Sequence, residues 1–205
     1  MSASEKRVGL AVAEAIAARY VADLQPFCVP GRLLAVGSVR RKAPTVGDIE
    51  ILLMPLPSTA RDLFGLVLAD QNQVEEHFEQ LAAQWGAQVL SAGPKKKTLW
   101  LREGLKLEIH LSNSAAWGVE MVIRTGPEAF TRLCVTARRQ GGYLPSACRV
   151  ADGWRVRRGM GYVPMPTEGA FLRFLGFAPD LAPERRNGDL KPGVSMETEV
   201  RDASR

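Results

Sequence analysis

The amino-acid sequence predicts a mixed α/β (α+β) fold: a mixed β-sheet with flanking helices, followed by a smaller α/β region. Segments with apolar residues every three or four positions are interspersed with short segments in which apolar and polar residues alternate. These two periods are typical of amphipathic helices and half-buried strands. With 205 residues, 46% of them hydrophobic, the chain can bury one core of ordinary size or two small ones.

We divide the chain into a first domain over 1–115, a second over 116–187 and a C-terminal tail over 188–205. In the first domain, helices are predicted over 4–24 and 73–86. The apolar residues that recur at helical spacing in the first of these are Val8, Val12, Ile16, Tyr20 and Leu24. The predicted strands are 32–36, which runs into a glycine turn at 37–38, and 47–55, 87–91, 97–102 and 105–111.

The second domain is predicted to alternate helices with short strands. A helix is expected over 125–142, with Thr125 as its N-cap and a Gly-Gly pair at its end. Short strands follow around 143–150 and 154–157, and a small helix covers 167–176. The tail is polar and rich in mixed charges, so we expect it to be flexible.

The strand over 47–55 places two carboxylates on one face. Because a strand repeats every two residues, Asp48 and Glu50 project from the same side, with Cβ atoms about 6–7 Å apart. The strand over 105–111 has the same pattern and presents Glu108. If the two strands are neighbours, the three acids can converge on divalent ions, and all-oxygen ligands favour Mg²⁺ or Mn²⁺ over zinc.

A turn rich in phosphate-binding groups precedes these acids. Gly37 and Ser38 follow a strand, where free backbone N–H groups can hold phosphate oxygens. Arg41 can add a bidentate positive charge to the same phosphates. Together with the acids, this stretch of about twenty residues predicts a site for a nucleoside triphosphate.

These motifs resemble those of a known family. The segments 37–38, 40–41 and 47–50 are similar to the G-S-x-R-R…G-D-x-D signature of family X DNA polymerases, within the polymerase-β-like nucleotidyltransferases. "LKLEIHL" is similar to the family strand that bears the third metal-binding acid. "WGVEMVIRTGPEAF" resembles its Thr-Gly turn before a helix, and "TEGAFLRFLGF…APERR" resembles its closing thumb motif. The resemblance covers about residues 5–187.

The resemblance implies a nucleotidyltransferase palm over 1–115, a thumb over 116–187 and a two-metal phosphoryl transfer. Asp48 and Glu50 would bind both Mg²⁺ or Mn²⁺ ions, and Glu108 would bind the catalytic one. The residues that match positions around the triphosphate and the incoming sugar are Gly37, Ser38, Arg41, Gly47, Thr125 and Gly126. Lys106 matches a basic residue near the primer phosphate.

Three features depart from the family pattern. The second and third metal positions are the glutamates Glu50 and Glu108, where the family usually has aspartate. The two aromatic residues that often precede the Thr-Gly turn are replaced by Ile123 and Arg124, so deoxyribonucleotide selection is not implied. The amino-terminal lyase and helix–hairpin–helix domains of cellular members have no counterpart, and the layout is similar to that of small viral members.

Basic side chains outside the motifs are candidates for contact with nucleic acid. Lys95, Lys96 and Lys97 lie at a predicted hairpin, and Arg132 lies on the helix after the Thr-Gly turn. Net charge is +5, which is compatible with a polyanionic partner without requiring one. His110 shares the face of Glu108, and we expect it on the surface or behind the metal ligands.

The sequence therefore predicts a family X type DNA polymerase that adds nucleotides to a DNA 3′ end during short-gap repair or replication. We expect a cytoplasmic monomer, or one in the host cytoplasm if viral, with no membrane partner and with three reduced cysteines. Two alternatives remain open at this point. One is a nucleotidyltransferase that works without a template or on RNA or another acceptor, and the other is a catalytically degenerate palm that binds DNA ends as an accessory protein.

Overall fold

The computed structural model describes residues 6–58, 71–151, 153–186 and 188–193. The chain divides into two compact units, Met1–Asn113 and Ser114–Arg205. This division lies two residues before the domain boundary predicted after residue 115. Each unit has its own hydrophobic core.

The first unit is built around a five-stranded mixed sheet, which confirms the mixed α+β fold class. Its helices are α1 (Leu10–Leu24), α2 (Gly37–Arg40) and α3 (Gln73–Trp85). Its strands are β1 (Val8–Gly9), β2 (Cys28–Ala35), β3 (Thr45–Val46), β4 (Asp48–Pro55), β5 (Gln88–Ala92), β6 (Lys96–Trp100) and β7 (Lys106–Leu111). The sheet order is β2-β4-β7-β6-β5, with β4 and β7 parallel and the other neighbours antiparallel. Strands β1 and β3 form a separate antiparallel pair.

Helices α1 and α3 pack against one face of this sheet. Alternate residues of β4 and β7, such as Ile49, Ile51 and Leu107, are fully buried in the same core cluster as both helices. Their intervening residues therefore face the other side of the sheet, as the strand period requires. The two helices meet through Tyr20 and Trp85, whose rings contact edge to face at 4.9 Å.

The prediction of which residues form the apolar face of the first helix is partly wrong. The helix begins at Leu10, after the short strand β1, and Val12 is 53% exposed. Ala13 and Ala17 are buried in its place, together with the predicted Tyr20 and Leu24. In an alanine-rich segment a small residue can face the sheet as well as a large one, and close packing favours the smaller side chains there.

Helix α3 begins with a side-chain cap that is expected to contribute measurably to stability. The Asn72 Oδ1 atom accepts a hydrogen bond of 3.1 Å from the backbone N–H of Glu75. Asn72→Ala should therefore lower the free energy of unfolding by about 1 kcal/mol in urea denaturation. Asn72→Ser, which keeps an acceptor oxygen, is the matched control and should stay within about 0.5 kcal/mol of the wild type. Equal stability of the wild type and the alanine variant would contradict a capping role.

The second unit contains three α-helices and a three-stranded antiparallel sheet within its described residues. These elements are α4 (Trp117–Thr125), α5 (Glu128–Val135), β8 (Cys148–Ala151), β9 (Arg155–Arg158), β10 (Gly161–Val163) and α6 (Glu168–Leu175). Helix α6 has the predicted extent, with Thr167 as its N-cap and Gly176 in the left-handed region at its end. Helix α4 and the segment before α6 pack closely, because a Cβ on Gly118 would overlap the carbonyl oxygens of Met165 and Thr167.

The second unit extends past residue 187. The Tyr143 hydroxyl donates a hydrogen bond to the Leu190 carbonyl, and the Gly193 N–H donates one of 2.9 Å to the Gly176 carbonyl. The part of the expected tail over 188–193 is therefore joined to the second unit, and the remainder, 194–205, lies outside the described residues.

The three cysteines, Cys28, Cys134 and Cys148, are buried free thiols. Burial raises the pKa of the Cys28 and Cys134 thiols to about 12, so both stay protonated at neutral pH. Among the described residues, no helix combines the length and the apolar character that crossing a membrane would need.

Candidate metal centre and nucleotide site

The parallel pairing of β4 with β7 brings the predicted acids onto neighbouring strands. Glu50 is the direct cross-strand partner of Glu108, and Asp48 is the partner of Lys106. All four side chains lie on the face opposite α1 and α3, since the residues between them are buried in the core. The predicted adjacency of the two strands is confirmed, and the role of the acids as metal ligands stays a prediction.

Glu108 lies between two lysines. Its carboxylate oxygens are 2.7 Å from Lys96 Nζ and 2.9 Å from Lys106 Nζ, and its side chain is only 13% exposed. Burial raises the pKa of the Glu108 carboxyl, but the two ammonium groups outweigh burial and hold this pKa below its usual value. Glu108 is therefore ionised at neutral pH, and the negative charge of its carboxylate attracts cationic groups.

The most compact group of potential metal ligands differs from the predicted one. In the described part of the chain, Glu50, Glu108 and His110 are the set of three whose ligand atoms lie within 4.8 Å of one another. Asp48 is outside this group and is instead 3.8 Å from Lys106 Nζ. The strand register explains the difference, because Glu50 lies level with Glu108 whereas Asp48 lies level with a lysine.

His110 is buried rather than on the surface, so that part of the expectation is wrong. Its side chain is 1% exposed, and neither ring nitrogen has a hydrogen-bond partner. The Nε2 atom faces the two glutamates, 3.6 Å from Glu108 Oε2 and 3.8 Å from Glu50 Oε1. The strand period already placed it on the face of Glu108, but its burial depends on packing that the sequence pattern does not contain.

The predicted phosphate turn lies directly beside Glu50. Strand β2 ends at Ala35, and the Val36 N–H donates a 2.8 Å hydrogen bond to the Glu50 carbonyl. Gly37 then has a φ of +60°, and a Cβ at this position would overlap the Glu50 carboxylate. Only glycine combines this backbone conformation with such a close approach of the acid.

Ser38 and Arg41 lie in and just after the single turn of α2 that follows. The Arg41 Nη2 atom donates a 3.2 Å hydrogen bond to Ser38 Oγ. Burial lowers the pKa of Arg41, and the charges of Glu50 and Asp48 oppose this shift. Arg41 thus lies close enough to Glu50 and Asp48 to interact with both carboxylates.

A basic depression at the start of β4 was not predicted from the sequence. Arg7 lines the depression next to Gly47, and a Cβ built on Gly47 would lie 3.1 Å from the Arg7 Nη1 atom. Its main lining residues are Lys6, Arg7, Gly47, Asp48, Trp100 and Lys106. Trp100 is 44% exposed, and strand alternation places it on the face of Lys106, its cross-strand partner. The depression therefore combines three cations, one carboxylate and an exposed indole.

The three lysines before and within β6 do not share one environment. Lys95 is exposed, whereas the Lys96 ammonium forms an ion pair with the Glu108 carboxylate. Lys97 is only 4% exposed, and its ammonium lies 3.3 Å from Glu75 Oε1 and above the Phe78 ring. The expectation that Lys97 contacts nucleic acid is not supported, because alternation along β6 directs it to the helix-covered face of the sheet.

The remaining predicted site residues belong to the second unit. Thr125 is the last residue of α4 and fully buried, and α5 begins only at Glu128, after Pro127 as N-cap. The prediction of Thr125 as a helix N-cap is therefore wrong, because the Pro127 ring sets the start of the next helix. Gly126 has a φ of +73° between the helices, and Arg132 is exposed on α5.

The fold and the site define the class of protein only coarsely. The first unit is an α+β domain whose sheet has two helices on one face and a cluster of carboxylates, lysines and a histidine on the other. Neither protein-family models nor curated protein sequences give a match to this chain.

Proposed function

We propose that this protein transfers nucleotides from a nucleoside triphosphate to the 3′ end of a DNA strand, as family X DNA polymerases do. The observation that carries the proposal is the pairing of Glu50 with Glu108 on parallel strands, with the Gly37 turn against the Glu50 carboxylate. Two of the segments that resemble the family, 37–50 and 105–111, are therefore neighbours within the first unit.

The donor set suits a divalent metal centre. Asp48, Glu50 and Glu108 would hold two Mg²⁺ or Mn²⁺ ions, which supply positive charge to the phosphates and lower the pKa of the acceptor hydroxyl. Lys96 and Lys106, which pair with Glu108, are 43% and 37% exposed. These flexible side chains can turn toward solvent when a cation takes their place.

The residues of this chain would orient the triphosphate for in-line attack. Ser38, Arg41 and the backbone at Gly37 would hold its terminal phosphates beside the acids. The acceptor 3′-oxygen forms a bond to the α-phosphorus while the bond to the pyrophosphate leaving group breaks, and the hydroxyl proton passes to solvent. No protein general base is needed in this scheme.

The basic depression supplies a place for the acceptor strand. Lys6 donates to the Glu103 carbonyl, and Arg7 donates to the hydroxyl and carbonyl of Thr45. These partners are neutral, so both cations keep their full charge for phosphate groups. Trp100 offers a face on which a base can stack, as in other sites that bind single strands.

Arg7→Ala is expected to weaken binding to a DNA primer several-fold at 0.1 M salt. It should also reduce the slope of log K against log salt by about 1, because one phosphate contact is lost. Fluorescence anisotropy at a series of salt concentrations measures both quantities. Arg102→Ala is the matched control, since Arg102 is exposed near Gly86, where α3 ends. Equal effects of the two variants would contradict a specific role of the depression.

A second function is favoured by the two lysines at Glu108. Ammonium groups at 2.7 and 2.9 Å can neutralise this acid permanently, as in a palm that has lost its metals and only binds DNA ends. In such an accessory protein the carboxylates would keep their lysine partners in the presence of DNA and triphosphate.

One assay separates these functions. The full chain is incubated with a one-nucleotide-gapped duplex, Mg²⁺ or Mn²⁺ and each triphosphate in turn, and pyrophosphate release and primer length are measured. The proposal expects metal-dependent addition of the nucleotide that pairs with the template. Addition without template preference, or only to an RNA primer, indicates a different nucleotidyltransferase. Absence of metal-dependent pyrophosphate release rejects transfer and favours the accessory function.

A further inference from the structure

His110 is a buried polar side chain with unsatisfied hydrogen-bonding atoms. Both Nδ1 and Nε2 lack a hydrogen-bond partner although the residue is 1% exposed. Burying an imidazole in this way is unfavourable unless another group satisfies it. The sequence gives no reason for the residue, since neither the resemblance nor the proposed transfer assigns it a role.

The position of its Nε2 atom indicates what could satisfy it. The carboxylate oxygens of Glu108 and Glu50 lie 3.6 and 3.8 Å away, which is too long for hydrogen bonds. Ligands bound at about 2.1 Å to one tetrahedral ion are about 3.4 Å apart. His110 Nε2 therefore needs to approach each of the two oxygens by only a few tenths of an ångström, and all three ligand atoms already lie within 4.8 Å of one another.

We propose that Glu50, Glu108 and His110 Nε2 together bind one divalent transition-metal ion. An imidazole ligand beside two carboxylates favours Mn²⁺ or Zn²⁺ over Mg²⁺, which prefers oxygen ligands and keeps its waters. Three protein ligands leave at least one position of the ion open. The inference does not rest on the proposed function, because it concerns the binding of an ion and its ligand atoms.

The lysines at Glu108 are compatible with this ion. Lys96 and Lys106, which contact the Glu108 carboxylate, are both more than one third exposed, whereas His110 is buried. Metal binding would then displace ammonium groups and leave the imidazole in place. Affinity should consequently rise with the Lys96→Ala substitution, which removes one competing charge.

The alternative explanation is that His110 binds no metal and its ring only fills space beside the two glutamates. In that case Mn²⁺ would not contact nitrogen, and the two explanations differ in a spectroscopic measurement that needs no enzymatic activity.

The chain suits this test because it contains two histidines, His77 and His110. The full-length protein is freed of metal with a chelator and titrated with MnCl₂, and electron spin echo modulation reports nitrogen bound to Mn²⁺. The proposal expects a ¹⁴N coupling from imidazole in the wild type and in His77→Asn. His77 is the matched control, since its Nδ1 already contacts the Gln73 carbonyl within α3. Absence of the coupling in the wild type overturns the proposal whether or not any variant folds.

His110→Asn supplies the second readout. The coupling should disappear, and affinity for Mn²⁺ and Zn²⁺ should fall about tenfold or more, while affinity for Mg²⁺ changes little. Circular dichroism before titration shows that the variant is folded. Unchanged Mn²⁺ affinity and coupling in folded His110→Asn would overturn the assignment of this ligand. Nucleotide transfer with Mg²⁺ but without ¹⁴N coupling would contradict this inference and leave the proposed function standing. Coupling to ¹⁴N without nucleotide transfer would contradict only the proposed function.

Discussion

Glu108→Gln is expected to reduce nucleotide incorporation by about a thousandfold, equivalent to about 4 kcal/mol of transition-state stabilisation. The amide keeps the shape of the side chain but removes the negative charge that a divalent ion requires. It also leaves Lys96 and Lys106 close together without the carboxylate that both now contact. The measurement is single-turnover extension of a gapped duplex with saturating Mg²⁺.

Loss of activity must be separated from loss of structure. Glu108 is on the polar face of the sheet but only 13% exposed, so the loss of its charge beside two lysines should lower the free energy of unfolding by about 1–3 kcal/mol and leave the α1–α3 core intact. Glu79→Gln is the matched control, because Glu79 is exposed on α3 and should retain full incorporation. If folded Glu108→Gln kept more than a tenth of the wild-type rate, Glu108 would not be a metal ligand in the reaction.

Gly37→Ala is expected to lower both stability and incorporation. An L-residue at a φ of +60° costs about 1–2 kcal/mol, and its Cβ would displace the Glu50 carboxylate. Misplacing a catalytic carboxylate by about 1 Å can reduce the rate by about a hundredfold. Urea denaturation measures the first effect and the extension assay the second.

Gly31→Ala separates the effect of backbone strain from the effect of displacing the Glu50 carboxylate. Gly31 also has a positive φ, of +72°, but a Cβ there meets no atom within 4 Å. This control should lose a similar 1–2 kcal/mol of stability and keep wild-type incorporation. Equal incorporation by the two variants would show that the contact between Gly37 and Glu50 has no role in the reaction.

Local periodicity predicted much of the first unit correctly. Four of the five strands of the main sheet and helix α3 lie within two residues of their predicted positions, because alternation and helix-end signals act over a few residues; β2 begins at Cys28, four residues before its predicted start. The same alternation put Asp48, Glu50 and Glu108 on polar strand faces. Alternation also indicated that Lys97 is buried, because it lies on the same strand face as the buried Leu99, but the sequence prediction did not use this indication.

The sequence prediction failed for different reasons at different elements. The face of α1 that meets the sheet is set by the space above β4, and hydrophobicity favoured Val12 over Ala13. The start of α5 was instead decided locally, since Pro127 is the N-cap of that helix and Thr125 is the last residue of α4.

The sequence by itself determined which side chains lie on the same face of each strand, because the two-residue period is a property of the extended backbone. The tertiary structure alone decided which strands are neighbours and in what register. That register sets Glu50 beside Glu108, sets Asp48 beside Lys106 and directs a buried His110 at the two glutamates. Pairing between distant strands is governed by the burial of a shared core, which no local pattern encodes.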